Sequence, residues 1–266
     1  MNFFDEVFLF DENKLSVEFT EHFADKFKLR GAGYWCWKPQ VILLSLEKLN
    51  EGDVLMYADA GCDFNPVGIK RLEEYFDMAE KNVSGIICFS LCFSRGESCP
   101  EKNWTKGDVF DYFGARFDEK FTESGQIAAT VILVRKSAET IAFIKKWLDV
   151  FWDHFDLVDD SPSVSPNIKG FIENRHDQSI FSILAKKTNI AEECLSMDEI
   201  EWHGDPKYSN KPIRASRHKK PSFAYSPKRW FYHTILDFVE LFFPFKVAVV
   251  IKKGVIALAE WIKHNH

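Results

Sequence analysis

The chain has 266 residues, of which 46% are hydrophobic, including 26 Phe and 8 Trp, and this composition excludes a disordered chain. Six cysteines lack CxxC spacing, and the first residues carry Asp5 and Glu6 in place of a basic and then apolar run, so we predict reduced thiols and a cytosolic protein without a secretory signal. The net charge is −6, and residues 1–204 carry 22 Lys/Arg against 36 Asp/Glu, a net of −14, which argues against a nucleic acid partner.

Apolar periodicity and capping residues predict alternating strands and helices over residues 1–204. In chain order we expect a strand at 6–10, a helix at 39–49, a strand at 54–58, a helix at 66–81, strands at 85–93 and 127–134, and helices at 138–154 and 176–187. Residues 161–170 are rich in Ser and Pro, and we predict that they form a mobile lid. This alternation is typical of an α/β fold with a mainly parallel sheet flanked by helices.

Residues 205–266 form a second predicted region, with 12 Lys/Arg against 4 Asp/Glu and a net charge of +8. Two aromatic-rich segments, 230–243 and 245–262, are predicted to be amphipathic helices, because charged residues interrupt them too often for a transmembrane span. Two interpretations stay open. The helices bind an anionic membrane surface, or they pack on the first region with their charges in water.

The most informative stretch is the end of the strand predicted at 54–58, where Asp59, Gly61 and Asp63 directly follow apolar residues. In an open α/β sheet, ligands bind at the carboxyl ends of the strands, and carboxylates there can hold Mn²⁺ or Mg²⁺ and, through the ion, a phosphate. The same pattern is also typical of a simple Asp-Gly turn that binds nothing.

Four motifs occur in a fixed order: Gly31–Pro39 (GAGYWCWKP), Tyr57–Cys62 (YADAGC), Asn103–Asp108 (NWTKGD) and Asn174–Ser179 (NRHDQS). Together they resemble bacterial glycosyltransferases with the GT-A fold that build capsule or lipopolysaccharide, and the resemblance covers about residues 5–205. It implies a GT-A-like domain at 1–204 and a hexosyltransferase that uses a nucleotide-sugar donor. The implied acceptor is a glycan or lipid-linked glycan, and the implied location is cytoplasmic, peripheral on the cytoplasmic membrane face.

By this resemblance, Asp59 is the counterpart of the first Asp of the DxD motif, which binds the donor's ribose or a Mn²⁺ or Mg²⁺ ion on its diphosphate. Gly61 stands where that motif has its second Asp. There are three possibilities: Asp63 compensates as a second metal ligand, the metal is held by fewer protein ligands, or catalysis needs no metal.

Further positions on the nucleotide-sugar side are implied around the strand-end turn and at the start of the helix predicted at 39–49: Asp59, Ala60, Gly61, Lys38 and Trp37. Lys38 is the candidate cation for the leaving diphosphate. Trp35 and Trp37 could stack on a base or sugar ring, although tryptophans entering a helix are also typical of a core.

Asp177 and Gln178 are the candidate catalytic residues at the start of the last predicted helix. Asp177 could remove the acceptor's proton or stabilise an oxocarbenium-like state, or simply favour a helix N-terminus. Lys106, Asp108 and His176 are the candidate acceptor-side residues. Lys106 and Asp108 would equally suit a solvated loop, and His176 could instead be a metal ligand.

Three other functions are alternatives to a glycosyltransferase. A GT-A domain usually begins with a strand and helix of the nucleotide pocket, whereas Asn2–Phe8 resembles the segment after that unit. A catalytically degenerate partner in a polysaccharide assembly complex is therefore the main alternative. A phosphohydrolase with Asp59 as nucleophile lacks an acid two positions later. A dinucleotide oxidoreductase is disfavoured because Gly31 and Gly33 lead into Tyr-Trp-Cys-Trp in place of a glycine-rich helix start.

Overall fold

The computed structural model describes residues 3–94, 96, 98–202 and 209–215, together with the backbone of 247–252. The described strands form two sheets. The larger has the order β1 (Glu6–Phe10), β9 (Val247–Lys252), β2 (Val54–Asp59), β5 (Ile127–Arg135), β4 (Ile86–Ser90) and β6 (Leu195–Ser196). The smaller has the order β3 (Cys62–Phe64), β8 (Ile213–Ala215) and β7 (Ile200–Glu201).

Helices cover both faces of the larger sheet and enclose two cores. The helices of the described residues are α1 (Val17–His22), α2 (Arg30–Tyr34), α3 (Trp37–Glu47), α4 (Ile69–Lys81), α5 (Glu101–Trp104), α6 (Gly107–Tyr112), α7 (Glu119–Thr122), α8 (Ala138–Asp153) and α9 (Asp177–Lys187). Side chains alternate along β2, so its odd-numbered residues Leu55 and Tyr57 pack in the first core with α3, α8 and α9. Its even-numbered residues pack in the second core with α4.

Local sequence signals located these elements well. The strand predicted at 6–10 is confirmed at both ends, and the other predicted strands and helices of residues 1–204 are found with shifted ends. Ser137 caps α8 as part of a capping box, because its Oγ accepts from the Thr140 N–H at 3.2 Å while Thr140 Oγ1 accepts from the Ser137 N–H at 3.0 Å. These signals work because each depends on residues only a few positions apart.

The mixed α/β class is confirmed, but the expectation of a mainly parallel sheet is wrong. β5 runs antiparallel to both of its neighbours, β2 and β4, and the parallel pair in the larger sheet is the short one between β4 and β6. Because β5 separates β2 and β4, those two strands run in the same direction, and their carboxyl ends face the same edge. Periodicity identifies a strand but carries no information about its direction relative to a neighbour.

Residues 247–252 were expected within a helix and instead form the strand β9. This strand lies between β1 and β2 and runs antiparallel to both, with Val247 opposite Asp59 and Lys252 opposite Val54. The run of Val and Ile suits a strand paired on two sides. The predicted region 205–266 therefore contributes β9 to the sheet of residues 1–204. The rest of its two predicted helices lies outside the described residues.

Within the described part of the chain, no helix has the length and apolar character needed to cross a bilayer.

Val249 provides a test of β9, because it lies opposite Phe8 on one side and Tyr57 on the other. Proline there removes a backbone N–H from a strand that is paired on both sides. We expect Val249→Pro to lower the free energy of unfolding by about 2 kcal/mol or more, measured by urea denaturation followed by circular dichroism. Val249→Thr keeps the N–H and the β-branch and should cost less than about 1 kcal/mol. Matching curves for the two variants would contradict the central position of β9.

Candidate functional site

A buried lysine at the start of α3 joins three elements of the fold. Lys38 is only 4% exposed, and its Nζ lies 2.8 Å from Asp177 Oδ2 in α9 and 3.1 Å from Asp59 Oδ1 at the end of β2. Nζ also donates to the carbonyl of Ala129 in β5 at 3.2 Å. A buried ammonium is tolerated only when it is paired and hydrogen-bonded, and these contacts meet that condition. We call Lys38, Asp59 and Asp177 the ion cluster.

The charges and the burial of the ion cluster shift the pKa values of its members. Burial lowers the pKa of Lys38, but Asp177 and then Asp59 outweigh burial, so the net pKa of Lys38 is raised and the ammonium stays charged. Burial raises the pKa of Asp177 to about 6, against the opposing effect of Lys38, and the negative charge of Asp59 also raises it. Asp177 therefore titrates close to neutral pH.

Asp59 is the ion-cluster residue that reaches solvent. Its side chain is 31% exposed, and its Oδ1 accepts both from Lys38 and from the Tyr57 hydroxyl at 2.7 Å. Burial, followed by the charge of Asp59, raises the pKa of Tyr57 well above its ordinary value, so the phenol remains a donor. Oδ2 accepts no hydrogen bond from the described residues. One carboxylate oxygen is therefore fixed, and the other is available to a ligand.

The motif before α3 forms a left-handed turn. Residues 31–35 all have positive φ, at 62°, 51°, 86°, 52° and 62° in chain order, and Ala32, Tyr34 and Trp35 are not glycines. This conformation costs about 1–2 kcal/mol for each non-glycine residue. Gly31 also has no room for a side chain, since a Cβ there would lie 2.6 Å from the indole of Trp35. The turn directs the chain into α3 and so places Lys38.

The two tryptophans of this motif have different environments. Trp37 is 4% exposed, and its Nε1 donates to the Gly31 carbonyl at 3.0 Å, so it belongs to the core and closes the turn. The nucleotide-sugar contact predicted for Trp37 is therefore not available in this conformation. Trp35 is partly exposed and lies near Lys38, whose Nζ is 5.9 Å from the centre of its ring.

His176 is a further strained residue and lies against the same turn. Its φ is 53° and its ψ is −117°, and its ring centre lies 4.6 Å from that of Tyr34 and 5.7 Å from that of Trp35. Its Nδ1 is 2.7 Å from the Val158 carbonyl. Burial lowers its pKa, which favours a neutral ring that donates from Nδ1. His176 was expected on the acceptor side, and the structure instead buries it as a support for Trp35 and α9.

Lys106 and Asp108 hold the loop at 161–170 and do not line an open pocket. Lys106 Nζ is buried against the carbonyls of Asp156, Asp159 and Ser161. The Asp108 carboxylate accepts from the N–H of Val164 at 2.8 Å and of Ser165 at 2.7 Å. In this conformation their polar groups satisfy the loop backbone, and the acceptor-side role of these two residues stays a prediction. The loop that was predicted to be a mobile lid is thus held by hydrogen bonds from Lys106 and to Asp108.

Gln178 belongs to a polar network that joins the last two motifs. Its Nε2 donates to Gln126 Oε1 at 2.7 Å, and its Oε1 accepts from the Ala129 N–H at 3.4 Å. Gln126 Nε2 continues to Thr105 Oγ1 at 3.0 Å. Both ends of the Gln178 amide are used, so the structure assigns it to holding α9 against β5 and not to contact with a reacting group. The structure thus brings all four sequence motifs together.

The turn after β2 carries a second ion pair. Asp63 Oδ1 lies 2.8 Å from Arg214 Nε, so the two carboxylates predicted as metal ligands, Asp59 and Asp63, are each paired with a different cation. Ala60 is half-buried and Gly61 is exposed at this turn. Among the residues that the structure describes, no group of three or more His, Cys, Asp or Glu side chains could hold a metal ion. The metal site at Asp59 and Asp63 stays a prediction, because Mg²⁺ can be held by one or two carboxylates together with substrate phosphates.

Two residues of the site were missed from the sequence. Tyr57 lies two positions before Asp59 on the same face of β2, and the period of a strand could have identified it. Arg214 lies in the basic region 205–266, and no local signal connects it with Asp63.

Comparisons with protein-family models, with curated proteins and with solved structures found no match to this chain.

Asp177 gives a pH dependence whose sign is set by its raised pKa. The pKa rises from the ordinary 3.8 to about 6, so folding favours the protonated acid, and this stabilisation is complete at low pH and lost as the pH rises through 6. Relative to Asp177→Asn, the wild-type free energy of unfolding should fall by about 2 to 3 kcal/mol between about pH 4 and pH 7.

Urea denaturation across this pH range measures the difference. Asp77→Asn, at an exposed carboxylate of α4, serves as the control and should leave the wild-type profile unchanged. A wild-type minus Asp177→Asn difference that is flat with pH would rule out a raised pKa for Asp177.

Proposed function

We propose that this protein is a glycosyltransferase of the GT-A type that moves a hexose from a nucleotide-sugar to a glycan or lipid-linked glycan of the cell surface. The observation that carries the proposal is the convergence of three distant motifs on the ion cluster at the carboxyl end of β2, with one oxygen of Asp59 left for a ligand. Carboxyl ends of strands are the usual ligand sites of α/β sheets.

Asp59 is the proposed donor contact. Its Oδ2 would accept a hydrogen bond from a hydroxyl of the donor, while Lys38 and Tyr57 hold Oδ1 in place. Fixed acceptors of this kind orient a substrate without rearrangement at the moment of reaction. Trp35, half-exposed beside the ion cluster, takes over the stacking role that was predicted for Trp37.

The proposed reaction moves one glycosyl group. The bond between the sugar's anomeric carbon and the diphosphate breaks, and its electron pair stays on the diphosphate oxygen. The acceptor oxygen bonds to the anomeric carbon and releases its proton to a carboxylate. Asp177, with a pKa of about 6, has suitable basicity for that proton at neutral pH, and in the ligand-free conformation Lys38 covers its Oδ2.

The location proposed is the cytoplasmic face of a membrane. The support for it is compositional: residues 205–266 carry 12 Lys/Arg against 4 Asp/Glu, which suits an anionic lipid surface.

A catalytically degenerate glycosyltransferase-like partner protein is the second candidate. One observation favours it: both acids at the strand end, Asp59 and Asp63, are paired with cations of the protein itself. Such a protein would fold in the same way and bind no donor.

Ligand-dependent stability separates the two candidates. A panel of UDP-, GDP- and CMP-sugars, each with and without Mn²⁺, should contain one compound that stabilises the protein by about 2.7 kcal/mol at about 100 times its dissociation constant. Asp59→Asn should lose at least half of that gain, because it weakens the acceptor at Oδ2. Asp77→Asn should retain it. If no compound raises the unfolding temperature of the wild type, the partner candidate is preferred.

Gly61 tests the role of the metal directly. A Cβ at this position would meet no atom within 4 Å, so Gly61→Asp adds a carboxylate without strain. We expect wild-type donor binding to be insensitive to Mn²⁺, and donor binding by Gly61→Asp to become about ten-fold tighter when Mn²⁺ is added. Titration calorimetry measures both, with Gly61→Asn as the uncharged control. A Mn²⁺ requirement in the wild type would contradict this expectation.

A further inference from the structure

A buried arginine beside the strand-end turn has unused hydrogen-bond donors. Arg214 in β8 is 3% exposed, and its Nε lies 2.8 Å from Asp63 Oδ1. This contact lacks hydrogen-bond geometry, and neither Nε, Nη1 nor Nη2 donates to an acceptor among the described residues. A guanidinium has five N–H donors, and buried polar groups are nearly always hydrogen-bonded. The arrangement is therefore incomplete without a further acceptor.

Two other buried cations, Lys38 and Lys106, do have acceptors close to their charged groups. Lys38 and Lys106 are also almost fully buried, and each has several oxygen atoms within reach of its Nζ. Lys38 was the predicted contact for the leaving diphosphate, but Asp59 and Asp177 already bind it. A diphosphate would have to break that cluster to reach Lys38, whereas the donors of Arg214 have no hydrogen-bond acceptor in the part of the chain that the structure describes.

Arg214 lies next to the strand-end turn that follows Asp59. The residues that flank Asp63 in β3 and Arg214 in β8 pack in the second core, so Asp63 and Arg214 point away from that core. The even-numbered residues of β2 also pack in the second core, and Asp59 points away from it. Asp63 follows Asp59 by four residues and is the register partner of Arg214. The open oxygen of Asp59 and the donors of Arg214 thus flank one short turn.

We infer that Arg214 binds the diphosphate of the nucleotide-sugar, with Asp63 holding Nε and leaving Nη1 and Nη2 for phosphate oxygens. This inference rests on the proposed function. A planar guanidinium matches two phosphate oxygens at once, and it carries a permanent positive charge. When the bond to the anomeric carbon breaks, the electron pair remains on the diphosphate, and Arg214 stabilises that negative charge without a metal ion.

Titration calorimetry in the presence of EDTA tests this role on the full chain. The probes are UDP, GDP and inorganic pyrophosphate, and the proteins are the wild type, Arg214→Gln, Arg214→Lys and the control Lys211→Gln. Lys211 is a nearby cation whose Nζ lies 3.7 Å from Glu201 Oε2. We expect the wild type to bind pyrophosphate and one of the nucleotides, and Arg214→Gln to weaken both by about ten-fold or more.

Arg214→Lys distinguishes ligand binding from a structural role. It keeps the charge beside Asp63 but loses the planar fork, so it should fold with an unchanged ligand-free unfolding temperature and still bind pyrophosphate several-fold more weakly than the wild type. Lys211→Gln should bind within about two-fold of the wild type. If Arg214→Gln does not fold, the result for Arg214→Lys decides the matter.

Failure of the role of Arg214 and failure of the proposed function give different results in these titrations. Wild-type affinity for UDP, GDP and pyrophosphate in the Arg214 variants would overturn the role of Arg214 and leave the proposed function standing. Absence of binding by the wild type to every probe, with EDTA and with Mn²⁺, would overturn both.

Discussion

The buried ammonium of Lys38 is the interaction on which the candidate site depends. It lies between the carboxylates of Asp59 and Asp177 at 3.1 Å and 2.8 Å, and through them it ties α3, β2 and α9 together. Removing one partner of a buried ion pair leaves an uncompensated charge, which costs about 3 to 5 kcal/mol, so the three elements can meet in few other arrangements. The same contacts fix one oxygen of Asp59 and leave the other for a ligand.

Backbone strain is concentrated beside this cluster. Of the five non-glycine residues with positive φ in the described part of the chain, three touch one another: Tyr34, Trp35 and His176. Strained residues persist only where the surroundings over-determine them, and they are most common at functional sites. Here packing supplies that constraint, because Trp37 closes the turn through the Gly31 carbonyl and the buried ring of His176 supports it from α9. The strain is therefore independent support for a functional role of this region.

The strand-end turn combines acids and cations in a way that the DxD comparison alone does not describe. Asp59 is matched with Lys38 and Asp63 with Arg214, so the negative charges are balanced by the protein itself. A cation that is paired with one carboxylate still attracts a second anion. The two pairs differ because Arg214 has N–H groups without an acceptor among the described residues, whereas Lys38 has several oxygen atoms near its Nζ. Charge compensation at this turn is thus shared between residues far apart in the chain.

The sequence by itself determined the local secondary structure and the position of Asp59 at the end of a strand. The cap at Ser137, the pattern of β2 and the position of Asp59 at its end each depend on neighbours within a few residues, so they were predictable. Only the tertiary structure decided the direction of β5, the insertion of residues 247–252 between β1 and β2, and the partners of Lys38. It also placed Lys106 and Asp108 against the backbone of the loop at 161–170. Strand direction, burial and ion pairing depend on residues far apart in the chain, whose approach no local pattern records.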